Sequence, residues 1–93
     1  MNFLADIRIP DRKAAEPFLK DHLAYLNAHF DSGDFLMFAA YANGEGGMLL
    51  AQADSREAMD ALLAADPLHG CQSVRYQTTE MKIGRVCVQA LTA

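Results

Sequence analysis

The sequence has little of what would tie it to a membrane, a nucleic acid or an oxidising compartment. No segment approaches the roughly 20 consecutive apolar residues of a membrane span. The opening MNFLADIRIPD carries charge within its first six residues and no apolar h-region, so no signal peptide is expected and the cytoplasm is the expected location. Eight Lys and Arg are interspersed with twelve Asp and Glu for a formal charge of −4, with no block of either sign. That balance disfavours a nucleic-acid partner, as does the absence of a strand with an RNP aromatic pattern. The two cysteines, Cys71 and Cys87, lack CxxC or ligand-like spacing and read as reduced thiols.

Recognised catalytic and cofactor motifs are missing too. Gly44, Gly46 and Gly47 belong to no GxxxxGK[ST] and precede no helix, so they are turn residues and not a phosphate loop. No serine sits in a nucleophile elbow, and the three histidines form no HExxH or other metal spacing. Met37, Met48, Met59 and Met81 read as core filling. No metal and no cofactor are implied.

What is present is a single domain over residues 1–93, with 52% hydrophobic content and so a core to bury. A chain this short buries only about 60 to 65% of its unfolded surface, which makes a lone protomer marginal and favours a homo-oligomer. FLADIRI (3–9) alternates Phe3, Ala5, Ile7 and Ile9 against Leu4, Asp6 and Arg8, the period of a strand with one buried face. Leu19, Leu23, Leu26 and Phe30 then recur at helical spacing and predict a helix with an apolar stripe, ended by Asp31-Ser32-Gly33. Pro17 removes a donor and restricts Glu16, so the regular helix is expected to begin near Glu16 or to kink there.

FLMFAAYA (35–42) and GMLLAQA (47–53) flank Asn43-Gly44-Glu45-Gly46 and predict a hairpin whose strands are covered on both faces, Asn and Gly supplying positive φ. Asp54 reads as an N-cap with Glu57 at N3, opening a helix that buries Ala58, Met59, Leu62 and Leu63 and ends at Asp66-Pro67. SVRYQTTEMKI (73–83) is a fourth strand. VCVQAL (86–91) is a fifth, or a tail that pairs with a neighbour. The order is β-α-β-β-α-β, an α+β ferredoxin-like arrangement: a four-stranded antiparallel sheet with both helices on one face. The apolar character of 35–42 predicts that the other face packs against the sheet of a second copy, giving a homodimer.

Candidate chemistry lies beside the leucine stripe, where Phe18, His22, Tyr25 and His29 form a second row. His22 borders the core, where a carboxylate would fix its tautomer; the alternative is a boundary histidine bonded to a backbone carbonyl. His29, near the helix end, is expected to interact with the C-terminal dipole. Asp66 stands at the negative end of the second helix, an unfavourable place for a carboxylate, and Pro67 turns it away from the helix surface. It either orients another group or makes a local turn bond before LHG. Asp34 is a turn residue or the acid of a pocket rim.

HLAYL at 22–26, Gly33 before a strand, the glycine-rich hairpin at 44–47, AQADSREA at 51–58 and AADPL at 64–68 together resemble the YciI-like (YCII-related) family of small bacterial proteins. The resemblance covers about residues 20–80. It implies a ferredoxin-like fold whose sheets pack face to face in a homodimer, the dimeric α/β barrel, and a site built around a His and an Asp in a cleft. Carried over, these are His22 of HLAYL and Asp66 of the DP pair. Two departures mark this chain: Ala40-Tyr41 stands where members often have Gly-Pro, and no hydroxyl residue stands near Gly47, where some members carry one.

Two functions follow. In the first, His22 and Asp66 are a catalytic dyad for cofactor-independent elimination, isomerisation or hydrolysis of a small, aromatic or lactone-like compound. Tyr25, Asp34 and Tyr41 then contact substrate, with Tyr25 or Tyr41 steadying an oxyanion. In the second, the homodimer binds a small ligand or regulates without chemistry, and the two residues lock one helix to the other.

Overall fold

The computed structural model describes residues 1–87. In chain order it contains β1 (Asn2–Arg8), α1 (Arg12–Ser32), β2 (Phe35–Ala40), β3 (Gly46–Gln52), α2 (Arg56–Ala64), a 3-10 turn (Pro67–Gly70) and β4 (Arg75–Met81). The strands form one antiparallel sheet in the order β2-β3-β1-β4. β1 is central, running from Asn2 opposite Gln52 and Met81 to Arg8 opposite Gly46 and Arg75. Of the expected C-terminal strand or tail at 86–91, residues 86 and 87 lie in no strand and the rest falls outside the described residues.

Alternation along the strands decides which face meets the helices. Phe3, Ala5 and Ile7 of β1, Phe35 of β2 and Leu49 and Ala51 of β3 are buried in one cluster with Ala15, Tyr25 and Leu26 of α1 and Met59 and Leu63 of α2. Both helices therefore cover the same face. Each fully buried side chain such as Phe3, Phe35 or Leu49 contributes about 1.5 to 3 kcal/mol. The opposite face presents half-buried Leu4, Met37, Met48 and Leu50, and β2 and β3 are covered on one face alone within the protomer.

The helices depart from expectation in three ways. α1 begins at Arg12, because the Asp11 carboxylate accepts the Ala14 N–H at 3.1 Å and starts the helix before the proline is reached. Pro17 then sits inside α1, on its exposed side, where water can satisfy the Lys13 carbonyl that loses its donor. α2 is capped by Ser55, whose hydroxyl accepts the Ala58 N–H at 3.0 Å, and Asp54 lies one residue too early to do so.

The third departure concerns the side that α1 buries. Leu23 and Phe30 are 52% and 50% exposed, whereas Tyr25 is buried and Phe18, His22 and His29 are half-buried. α1 is rotated toward the aromatic and histidine row because the polar tips of that row find partners below it, and a buried polar tip without one would be costly. Gly33 ends α1 at φ 88, its N–H returning to the Phe30 carbonyl at 3.1 Å. In the β2–β3 turn the positive φ falls on Gly44 and Gly46. Asn43 instead accepts the Glu45 N–H on its side-chain oxygen at 2.9 Å.

Candidate functional site

Asp66 follows the end of α2, and Pro67 holds it extended at φ −67 and ψ 124. Its carboxylate thereby leaves the axis of α2 and caps the 3-10 turn, Oδ1 accepting the Leu68 N–H at 3.0 Å. The same oxygen lies 2.7 Å from His22 Nδ1, and Oδ2 accepts the Tyr76 hydroxyl at 2.8 Å. Three donors thus converge on a carboxylate that is 2% exposed, which offsets the unfavourable field of the α2 terminus. Both sequence alternatives for Asp66 are realised: it makes the local turn bond and it orients another group.

Tyr76 arrives from β4 on the helix-facing side, opposite Ile7. Burial first, then the hydrogen bond to Asp66 and its charge, push the Tyr76 hydroxyl far above the ordinary tyrosine range, so it stays a donor. His69 of the 3-10 turn stacks on the Tyr76 ring with centroids 4.4 Å apart, and its Nε2 donates to the Leu63 carbonyl at 2.8 Å. No motif in the sequence marks either residue. Tyr76 was legible only as an inward position of an alternating strand.

With Nδ1 of His22 donating to Asp66, the lone pair of the neutral ring lies on Nε2. No protein group bonds Nε2, and no buried side-chain nitrogen or oxygen among the described residues lacks a partner, so Nε2 reaches solvent. His22 lines a cleft of about 330 Å³ between α1 and the β2–β3 edge, with Leu19, Leu23 and Leu26 on one wall and Ile7, Ile9, Phe38 and Met48 among the others. Arg12 lines it as well, anchored by a bond from its guanidinium to the Gly44 carbonyl at 3.2 Å. The cleft therefore carries a base and a permanent cation in an apolar setting.

Both departures from the family pattern fall on this cleft, which Ala40 and Gly47 line. A side chain at Gly47 would not fit, since a Cβ there stands 2.3 Å from the Ala39 carbonyl oxygen.

The other expected substrate contacts are elsewhere. Tyr25 is buried and lines neither cleft; its hydroxyl donates to the Leu62 carbonyl at 2.5 Å, and burial, then the charges of Asp66 and Asp34, push it far above the usual range. Tyr41 lies on the open face of the sheet, its hydroxyl donating to Asp6 and its ring 5.1 Å from the Arg8 guanidinium. That bond, and then Arg8, hold the Asp6 carboxyl below its usual range. Asp34 pairs with His29 Nδ1 at 3.0 Å and faces a different cavity, of about 720 Å³, bordered by α2 and the end of β3. The sequence thus placed His22 and Asp66 together, while Tyr25, Asp34 and Tyr41 do not join them.

Among the described residues no three His, Cys, Asp or Glu gather as a metal-binding set, and no helix is long and apolar enough to cross a membrane. Cys71 is buried and Cys87 exposed, both unpaired.

A βαββαβ chain with this strand order, two helices on one face and an open apolar face has the subunit fold of the dimeric α/β barrel proteins. More narrowly, the chain belongs to the YCII-related domain family, whose model matches residues 4–82. One similar solved structure is the 5-chloro-2-hydroxyhydroquinone dehydrochlorinase of Burkholderia phenoliruptrix in complex with 2,5-dihydroxybenzoquinone, 18% identical, with a TM-score of 0.75 over 90% of this chain and 96% of that one. Another is a candidate antibiotic-biosynthesis monooxygenase from Deinococcus radiodurans, 11% identical, with a TM-score of 0.57 over 94% and 98% of the two chains. At these identities the likeness is one of fold. No curated protein matches the chain.

Proposed function

We propose that the chain is a small-molecule enzyme in which His22, oriented by Asp66, acts as general base and then acid in the 330 Å³ cleft. The observation that carries this reading is the two-sided engagement of one imidazole: Nδ1 is fixed by a buried carboxylate and Nε2 is open to solvent. A positioned base of this kind contributes about 10²- to 10⁴-fold to a rate.

In the elimination we favour, Nε2 takes a proton next to a carbonyl or enol, the C–H electron pair becomes the new π bond and the leaving group departs as its anion. The imidazolium, stabilised by Asp66, then releases its proton to water. Arg12 faces the oxygen on which negative charge develops. Isomerisation or hydrolysis of a lactone-like compound draws on the same two groups, and none of these steps asks for a cofactor. The dehydrochlorinase that shares the fold supports a small, oxygenated ring as substrate.

We also propose that two protomers pair through the open sheet face carrying Leu4, Met37, Met48 and Leu50, and that the dimer works in the cytoplasm. A second reading, a ligand-binding dimer without chemistry, draws on one observation: Asp66 caps the 3-10 turn and holds Tyr76, so its pairing with His22 has a structural use regardless. Assay of chlorinated hydroxyhydroquinones, enols and lactones, following chloride release and absorbance, separates the two. Turnover by the wild type that disappears in His22→Ala supports the enzyme; binding with no turnover across the panel supports the second reading.

A further inference from the structure

The 720 Å³ cavity is a separate place from the His22 cleft: the two share no lining residue. Tyr25 stands between them, its ring 6.3 Å from that of His22 and 4.9 Å from that of His29. The polar wall of the larger cavity is built by His29, Asp34, Gln52 and Asp54, its apolar floor by Ala58, Ala61, Leu62 and Ala65, and Met1 stands at its rim.

The wall is organised. Asp34 Oδ2 accepts the Ser32 hydroxyl at 2.9 Å and lies 3.0 Å from His29 Nδ1. Those two bonds hold the Asp34 carboxyl below its usual range, so it meets the cavity as an anion. With Nδ1 donating to Asp34, the neutral His29 ring offers a lone pair at Nε2, which has no protein partner and reaches solvent by the same reasoning as in His22. Gln52 donates its side-chain amide to the Gly33 carbonyl at 2.9 Å, which leaves its oxygen to accept. Asp54, freed from capping α2 by Ser55, adds a second carboxylate.

The side chains on this wall are thus mainly acceptors, and the two carboxylates of Asp34 and Asp54 outweigh the one amino-terminal charge that Met1 brings to the rim. A ligand must bring donors and positive charge to one end and carbon to the other. We propose that this cavity binds a small organic cation, an alkyl- or arylammonium, whose nitrogen sits between Asp34, His29 Nε2 and Gln52 and whose carbon skeleton lies on the alanine floor of α2. The site is independent of His22 and of any reaction there.

The test is an amide and imidazole NMR titration of the whole chain with n-butylammonium, using butyrate as the matched anion. Saturable shifts at Ala58, Ala61, Leu62 and the His29 ring with the amine, and none with butyrate, are expected. Asp34→Asn should weaken binding about tenfold or more. Ala61→Leu fills the floor without touching the polar wall and should abolish binding, so it carries the test if Asp34→Asn does not fold. No saturation with the amine, an equal response to butyrate, or unchanged affinity in Ala61→Leu overturns the proposal.

Discussion

Asp66 Oδ1 stands 2.7 Å from His22 Nδ1 across forty-four residues of chain, joining the buried side of α1 to the turn that follows α2. The pairing dictates a tautomer. Long-range proton–nitrogen NMR of the neutral protein should find His22 protonated at Nδ1 with a bare Nε2, and Asp66→Ala should lose that preference. An Nε2–H tautomer in the wild type would contradict the assignment.

Tyr76 holds the other oxygen of the same carboxylate at 2.8 Å, away from solvent. Tyr76→Phe keeps the ring and its stacking on His69 while removing one donor to a buried charge, a loss of about 1.5 to 3 kcal/mol in urea unfolding. A variant as stable as the wild type shows that water or another donor takes the place of the hydroxyl.

All three tyrosine hydroxyls are held above their ordinary value, Tyr25 and Tyr76 chiefly by burial and Tyr41 by its bond to Asp6. The folded protein therefore keeps its tyrosine protons longer than the unfolded chain does. The stability linked to them is fully present below the unfolded value of about 10 and is lost as pH rises toward the folded values. Absorbance at tyrosinate wavelengths should stay flat through pH about 10 and then rise together with loss of the far-ultraviolet helix signal. Tyrosinate appearing below that pH in folded Tyr41→Phe protein excludes the packing described for Tyr25 and Tyr76.

The open sheet face predicts its own variant. Met48 and Leu50 project from β3 on that side, so Leu50→Lys should yield monomers in sedimentation while leaving the helix-facing core intact. Sedimentation of the wild type as a monomer, or of Leu50→Lys as a stable dimer, speaks against sheet-to-sheet pairing.

Much of this architecture is legible in the sequence because strand alternation and turn chemistry are local. Phe3, Ala5 and Ile7 against Leu4, Asp6 and Arg8 define the two faces of β1, and Pro67 alone fixes the extended backbone of Asp66. What is not legible depends on partners distant in the chain. The aliphatic stripe of α1 predicts the buried side only in part: Leu19 and Leu26 pack on the core but Leu23 and Phe30 do not, because Leu62 and Asp66, which receive Tyr25 and His22, lie about forty residues on. His29 reads as a dipole partner for a different reason: Asp34 is only five residues on, but it is the turn from α1 into β2, and not helical spacing, that brings the two together. Arg12 goes unread because its place in the cleft rests on Asp11 starting α1 ahead of Pro17.

Whether His22 moves protons under the orientation of Asp66 is decided by kcat for any compound the wild type turns over, compared in His22→Ala and Asp66→Asn proteins shown to be folded. A fall of about 10²-fold or more is expected in His22→Ala and a smaller but clear fall in Asp66→Asn, with KM changing little in either. A kcat in folded His22→Ala within about threefold of the wild type contradicts that role for His22, since a base worth about 10²-fold or more cannot be removed at so small a loss.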